Sequence, residues 1–292
     1  LNVYFLSVLL GIVEGLTEFL PVSSTAHLRI VEAWMKLPLS DPYWVMYAIV
    51  IQLGAILALC LLFLARIVDF IRTFPEGEGY DRNWLTHPIS LTLIAFACTS
   101  APALLLRKWS EANLGSLKAM ALALVIGGII MWVVDARADN EDPATRDVEE
   151  MNLWQAIWIG LCQTLSAIFP GTSRSMATIA AGQMAGLSRP AALEFSFLLS
   201  IPTMIAATTW DFIKEVHGSS AAAAGAAAAH VVMNPQRWVV LIIGLVVSFV
   251  VAMGVVEWFL YWVRKHGFVP FAIYRILFGG AILFYGAKFI AG

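Results

Sequence analysis

Six stretches of this chain stay apolar for about 20 residues, the length a helix needs to cross the hydrocarbon core of a bilayer. They are Tyr43 to Leu64, Ile89 to Leu106, Leu117 to Val134, Pro190 to Phe212, Trp238 to Val263 and Phe268 to Phe289. Tyr43, Trp44, Trp109, Trp132, Trp238 and Trp262 lie near their ends, where interfacial aromatic belts form. Composition agrees: 60% of the residues are hydrophobic and only 13% charged, against roughly 25% charged in a soluble domain. A chain this apolar cannot cover its surface in water. The expected fold is an all-α integral membrane protein, a single domain over residues 1–292.

Two further apolar segments are broken. Val3 to Met35 is interrupted at Pro21-Val22-Ser23-Ser24-Thr25, and Leu153 to Leu187 at Pro170-Gly171-Thr172-Ser173. Each reads as a half-helix, a polar turn at membrane depth and a second half-helix. Lipid cannot satisfy non-helical backbone, so such a turn must lie inside protein or beside a watery cavity. Each segment is therefore expected to be a re-entrant helical hairpin whose tip lines a site.

The two hairpins are copies of each other. Gly11-Ile12-Val13-Glu14-Gly15-Leu16-Thr17 aligns with Gly160-Leu161-Cys162-Gln163-Thr164-Leu165-Ser166, and Phe19 to Ser24 with Ile168 to Ser173, both at an offset of 149. The chain thus divides into repeat one, 1–135, and repeat two, 151–292, joined by the charged stretch Asp135 to Glu150. A hairpin adds no crossing, and three spans per repeat is an odd number. The second repeat then enters from the opposite face. The result is an inverted-topology repeat of six spanning helices plus two re-entrant hairpins, with both tips near the bilayer midplane.

Several function classes are set aside by the same reading. A net charge of −2 offers no broad basic surface for nucleic acid. Cys60, Cys98 and Cys162 sit in apolar segments without metal-like spacing. The first apolar stretch carries Glu14 and Glu18 and no basic leader, so no cleavable signal is expected. The alanine runs Ala221 to Ala224 and Ala226 to Ala229 read as a low-complexity loop without a catalytic role.

Ionisable and hydroxyl side chains concentrate at the two breaks, where they are costly and therefore functional candidates. Glu14 and Glu18 are spaced i, i+4, which puts both carboxylates on one helix face. Two such anions repel unless a cation joins them. A hard divalent ion, Mg²⁺ or alternatively Ca²⁺, is the natural partner and would also bind phosphate oxygens. The first break adds Ser23, Ser24 and Thr25, whose hydroxyls suit phosphate oxygens, and His27, a base, acid or nucleophile. The second break places Gly171 in a tight turn before a helix start near Ser173. A helix N-terminus binds anions through its free N–H groups. Arg174 adds a guanidinium fork for phosphate, and Ser173, Ser175 and Thr178 add donors. Opposed, the two tips make a phosphoryl-transfer constellation.

These motifs resemble a known family. Glu14-Gly-Leu-Thr-Glu18-Phe-Leu-Pro-Val-Ser-Ser-Thr-Ala-His27 and Pro170-Gly-Thr-Ser-Arg-Ser-Met-Ala-Thr178 are similar to the two signatures of bacterial undecaprenyl-diphosphate phosphatases of the bacitracin-resistance type. Weaker matches at Ser188-Arg189, Glu194 to Leu199 and Pro270 to Arg275 extend the resemblance over essentially the whole chain. The chain departs at Ala26, where the family usually has Gly.

The resemblance implies hydrolysis of a polyprenyl diphosphate lipid to the monophosphate carrier used in cell-wall synthesis. It implies a multi-pass protein of the bacterial inner membrane with its site open to the periplasm, and leaves room for a homo-oligomer. By motif position, Glu14 and Glu18 would be the metal-linked carboxylates and Arg174 the phosphate-binding group. Ser24 and His27 compete as nucleophile, and Ser173 and Thr178 assist the phosphate. The alternative is a polyprenyl-phosphate transporter or flippase on the same scaffold, which needs a binding site but no nucleophile.

Overall fold

The computed structural model describes residues 2–37, 41–76, 83–106, 116–138, 142–216 and 233–290. The alanine-rich stretch and Trp109 lie outside the described residues. Among those described there is no β-strand, only a single bridge between Thr145 and Leu187. The helices are α1 (Val3–Thr17), α2 (Ser24–Trp34), α3 (Pro42–Leu62), α4 (Leu64–Thr73), α5 (Pro88–Leu105), α6 (Leu117–Ala138), α7 (Leu153–Ile168), α8 (Arg174–Met184), α9 (Arg189–Val216), α10 (Pro235–His266) and α11 (Val269–Ile290).

Each predicted span falls on a helix. Five of them, α3, α5, α6, α9 and α10, are long and apolar enough to cross a membrane. The sixth, α11, is 22 residues long and apolar over Val269–Tyr285. The short helix α4 was not foreseen; it opens on Leu64, which the sequence pattern assigned to the preceding span. Only 28% of the α5 span and 33% of the α6 and α10 spans are buried in the protein. Leu61, Leu105, Ile126 and Val250 are among the large side chains left facing outward. So much exposed apolar surface, spread over several helices, requires lipid around it. The protein is a multi-pass membrane protein.

Local chemistry sets where the helices begin. Asp41 accepts a hydrogen bond from the Tyr43 amide and Pro42 occupies the first turn of α3. Asn234 caps α10 in the same way ahead of Pro235. Asn152 and Gln155 form a reciprocal capping box at α7. Each device satisfies amides that a helix start leaves without partners.

Both predicted breaks are present. The first separates α1 from α2 and the second separates α7 from α8. The structure corrects their alignment by one residue. Ser23 (φ 73°) and Ser173 (φ 70°) hold the same left-handed position immediately before α2 and α8. Ser24 therefore corresponds to Arg174, not to Ser173. From Gly160 to Ser173 the chain is one residue longer than from Gly11 to Ser23, and Gly171 within that stretch takes φ 92°, a conformation that a side chain would strain.

The hairpins pack on the other half of the chain. α1 lies on α10, where a Cβ on Gly11 would stand 2.8 Å from the Gly244 carbonyl oxygen. α7 lies on α5, where a Cβ on Gly160 would collide with the Ala95 carbonyl oxygen. The repeat offset of 149 carries Gly11 to Gly160 and Ala95 to Gly244. The two contacts are thus the same contact with the halves exchanged.

Asp135 provides a second tie. It is fully buried at the end of α6. It accepts from Gln183 Nε2 at 2.8 Å, Arg189 Nε at 2.7 Å and the Phe268 and Val269 amides at 2.7 and 3.1 Å. One carboxylate thereby joins the ends of α6 and α8 to the starts of α9 and α11.

Gly160→Ala should force backbone apart at the α7–α5 contact and destabilise the protein by roughly 1–3 kcal/mol. Gly254→Ala, where a Cβ meets nothing within 4 Å, should leave the melting temperature in detergent unchanged. Equal melting temperatures for the two variants would reject the close-contact account.

Candidate active site

A polar cavity of about 330 Å³ lies where the two breaks meet. The first break lines it with Ser23, Ser24 and Thr25, next to Glu18. The second lines it with Pro170, Gly171, Ser173 and Arg174. Half-helices α2 and α8 both begin at this cavity. Their first-turn N–H groups have no intrahelical partner, and the positive ends of their dipoles lie beside it. This follows from the sequence: a β-branched or apolar run would have continued the helix, whereas Pro, Gly and Ser stop it and restart it.

A hydrogen-bonded chain crosses from one break to the other. Ser24 Oγ donates to Glu18 Oε2 at 2.6 Å. Arg174 Nη2 approaches Glu18 Oε1 at 3.5 Å, and Nη1 reaches the Ser196 carbonyl at 3.5 Å. Glu18 and Arg174 side chains are 8% and 12% exposed, so the pair is largely shielded, and both residues line the cavity. A structural pairing of Arg174 with Glu194 does not occur; Glu194 accepts from Arg66 Nε at 2.7 Å.

The other sequence-selected residues fall into three places. Ser23, Thr25 and Ser173 line the cavity with the residues above. Ser175 and Thr178 stand behind it as supports. Ser175 Oγ bonds to the Leu20 carbonyl at 3.0 Å, a direct link between the breaks. Thr178 Oγ1 bonds to Ser196 Oγ at 2.6 Å and to the Arg174 carbonyl at 3.0 Å, fixing the first turn of α8.

His27 is not brought to the cavity. Its Nδ1 lies 2.7 Å from the Ser23 carbonyl and its Nε2 lies 2.7 Å from Tyr274 Oη. The ring stacks on Phe278 with centroids 4.3 Å apart. Both nitrogens are engaged, Nδ1 by the backbone just before α2 and Nε2 by α11, and the ring does not line the cavity.

Sequence reading did not select Gln52, Ser166, Thr203, Thr208 or Asp211, which complete the cavity wall from α3, α7 and α9. Their signal was present as polar residues inside or beside apolar spans, but no motif gathers them. Arg275 was seen only as the end of a weak match. It is fully buried between the breaks.

Glu14 stands one turn before Glu18 on α1, wholly buried, and neither of its carboxylate oxygens has a hydrogen-bond partner. No group of three or more His, Cys, Asp or Glu side chains is gathered for a metal among the described residues. Mg²⁺ does not require one: it is commonly held by one or two carboxylates, with water and substrate phosphate completing its shell. Two hard carboxylates, one of them unpartnered, beside a hydroxyl-lined cavity fit such an ion.

Residues 7–281 match the family described as bacitracin resistance protein BacA. The undecaprenyl-diphosphatase of Koribacter versatilis is 55% identical over 288 residues, covering 99% of this chain and 100% of the relative. That of Caldanaerobacter subterraneus is 38% identical, covering 94% of this chain and 93% of its own length. That of Sorangium cellulosum is 39% identical, covering 96% and 85%. With a match that runs nearly end to end and takes in both broken hairpins, this chain belongs to the bacitracin resistance protein BacA family.

Proposed function

We propose that this protein is a membrane phosphatase that hydrolyses undecaprenyl diphosphate to undecaprenyl phosphate and inorganic phosphate. The observation that carries the reading is the Ser24–Glu18–Arg174 chain across a polar cavity inside an otherwise apolar bundle. The name shared by the relatives supplies the substrate, and it leaves the transporter alternative without support. The cavity opens, on this reading, to the periplasmic side of the bacterial inner membrane. The chain forms one domain of two oppositely inserted repeats, 1–135 and 151–292. The reciprocal Gly11 and Gly160 contacts support that arrangement.

Ser24 is the nucleophile in this scheme. Its hydroxyl already donates to Glu18, so Glu18 can take the proton as Oγ attacks the terminal phosphorus. The Oγ–P bond forms as the bridging O–P bond breaks. Glu18 then gives the proton to the departing polyprenyl phosphate. A water attacks the phosphoserine, losing a proton to Glu18, which returns it to Ser24 Oγ as inorganic phosphate leaves. Arg174 and the two half-helix N-termini bear the charge that builds on the phosphoryl oxygens. Ser23, Thr25 and Ser173 supply neutral donors around it. Glu14 and Glu18 would hold a divalent cation, whose chemistry is to neutralise the diphosphate.

His27 supports the Ser23 carbonyl and does not attack phosphorus. The nucleophile assignment is tested by phosphate release from purified protein in detergent. Ser24→Ala and Glu18→Gln should each lose about a thousandfold or more in kcat, which corresponds to roughly 4 kcal/mol of transition-state stabilisation. His27→Asn should lose no more than about tenfold, the scale of a disturbed but surviving geometry. A His27→Asn variant as inactive as Ser24→Ala would return the nucleophile to His27.

Arg174→Lys keeps the charge but loses the fork. It should depress kcat and kcat/KM together while the melting temperature stays near that of the unaltered protein. A stable Arg174→Ala protein with normal turnover would end the assignment.

The metal reading predicts that a chelator abolishes turnover, that Mg²⁺ restores it, and that Glu14→Gln raises the Mg²⁺ concentration needed. Because a bound cation also stabilises the fold, Mg²⁺ should raise the melting temperature of the unaltered protein more than that of Glu14→Gln. Full turnover in excess chelator would refute it.

A further inference from the structure

Arg275 lies on α11, 100 residues or more from the second break and farther from the first, yet its guanidinium sits between them. Nη1 donates to the Pro21 carbonyl at 3.0 Å. Nη2 donates to the Thr172 carbonyl at 2.9 Å, with the Gly171 and Ala123 carbonyls at 3.3 and 3.2 Å. The residue is fully buried. No carboxylate among the described residues pairs with it. A full charge at this depth is held by backbone oxygens alone, the costliest way to keep one in a membrane.

Room for the group is provided by glycine. A Cβ on Gly127 would stand 2.5 Å from Arg275 Nη2 and 2.6 Å from Met176 Cε. α6 therefore offers a bare backbone patch against which the guanidinium fits.

The consequence for the cavity follows from peptide geometry. In a trans peptide the C=O and the next N–H point in opposite directions. Holding the Thr172 carbonyl aims the Ser173 N–H away from Arg275, and Ser173 is a cavity residue. Holding the Pro21 carbonyl fixes the peptide two residues before Ser23 in the same way. The geometry points to Arg275 as a positioning residue that sets the Ser24–Glu18 half of the site against the Ser173–Arg174 half through the backbone of both breaks. This rests on the phosphatase reading for its effect on rate, but the clamp itself can be measured without turnover.

The test compares Arg275→Lys, Gly127→Ala, their combination, and Gly280→Ala, whose added Cβ meets nothing within 4 Å. Arg275→Lys keeps the charge and loses the two-armed donor. Gly127→Ala keeps the arginine and displaces its Nη2. Polyprenyl diphosphate turnover and hydrogen–deuterium exchange are read on the same folded preparations.

Arg275→Lys should lower kcat by about a hundredfold and Gly127→Ala by about tenfold, with KM within about threefold, as misplacement of reacting groups does. The double variant should be no worse than Arg275→Lys, because both changes act through one contact. Exchange should rise in peptides spanning both breaks together and stay unchanged in α3 and α5. Gly280→Ala should match the unaltered protein in every respect.

Unaltered kcat per folded molecule in Arg275→Lys or Gly127→Ala would overturn the proposal. So would losses that multiply in the double variant, or exchange that rises at one break only. If the unaltered protein released no phosphate, the phosphatase reading would fall, and exchange at the two breaks would alone decide the clamp.

Discussion

A helix that breaks inside a bilayer frees carbonyl and amide groups that lipid cannot satisfy. Two such breaks face each other here, and the surrounding fold answers to them. Arg275 takes carbonyls from both, Ser175 ties α8 to Leu20, and Arg174 reaches Glu18. Gly127 of α6 leaves room for the guanidinium, and the glycines of α1 and α7 let those half-helices close on α10 and α5. What remains unsatisfied on the inner side of the breaks is the set of donors and acceptors that a phosphate could use. The same constraint that makes the breaks costly makes them reactive.

The site divides labour between residues that face the cavity and residues that hold those in place. Ser24, Glu18 and Arg174 belong to the first kind. Thr178, Ser175, His27 and Arg275 belong to the second, each bonded to backbone or to another support. Such an arrangement keeps short, polar half-helices in one geometry although neither is long enough to be stable alone. Asp135 does the corresponding work at the far ends of α6 and α8, where it gathers four donors.

Much of this was legible in the sequence. Span positions followed from runs of apolar residues, because in a membrane the outward face of a helix is as apolar as the inward one. The breaks were visible because Pro, Gly and hydroxyl residues cluster there within an otherwise apolar segment. Glu18, Ser24 and Arg174 were visible because charge and hydroxyls inside such segments need a reason. Arg275 was less so: its partners are carbonyls, which every residue has, at positions 103 to 254 residues away. The one-residue shift at Gly171 was hidden because the two sequences align without a gap. The extra residue lies between Gly160 and Ser173, where the matching residue types of the two segments conceal it. His27 was placed at the site because it is near in sequence, whereas the direction of α2 turns it toward Tyr274 and Phe278.

The packing of α1 on α10 also orders events in time. Gly11 finds its counterpart at Gly244, so α1 leaves the ribosome well before the α10 surface that completes it. At a synthesis rate of roughly 5–20 residues per second, that wait is on the order of 10 to 50 s. Through that interval Glu14 in α1 and Glu18 just after it lack the α10 surface, and for most of it Arg174 as well. A short helix bearing two carboxylates gains little by entering the hydrocarbon alone. It would rest at the membrane surface while later helices insert, and sink to its final depth only when its partner arrives. Helix α1 is thus made early and seated late.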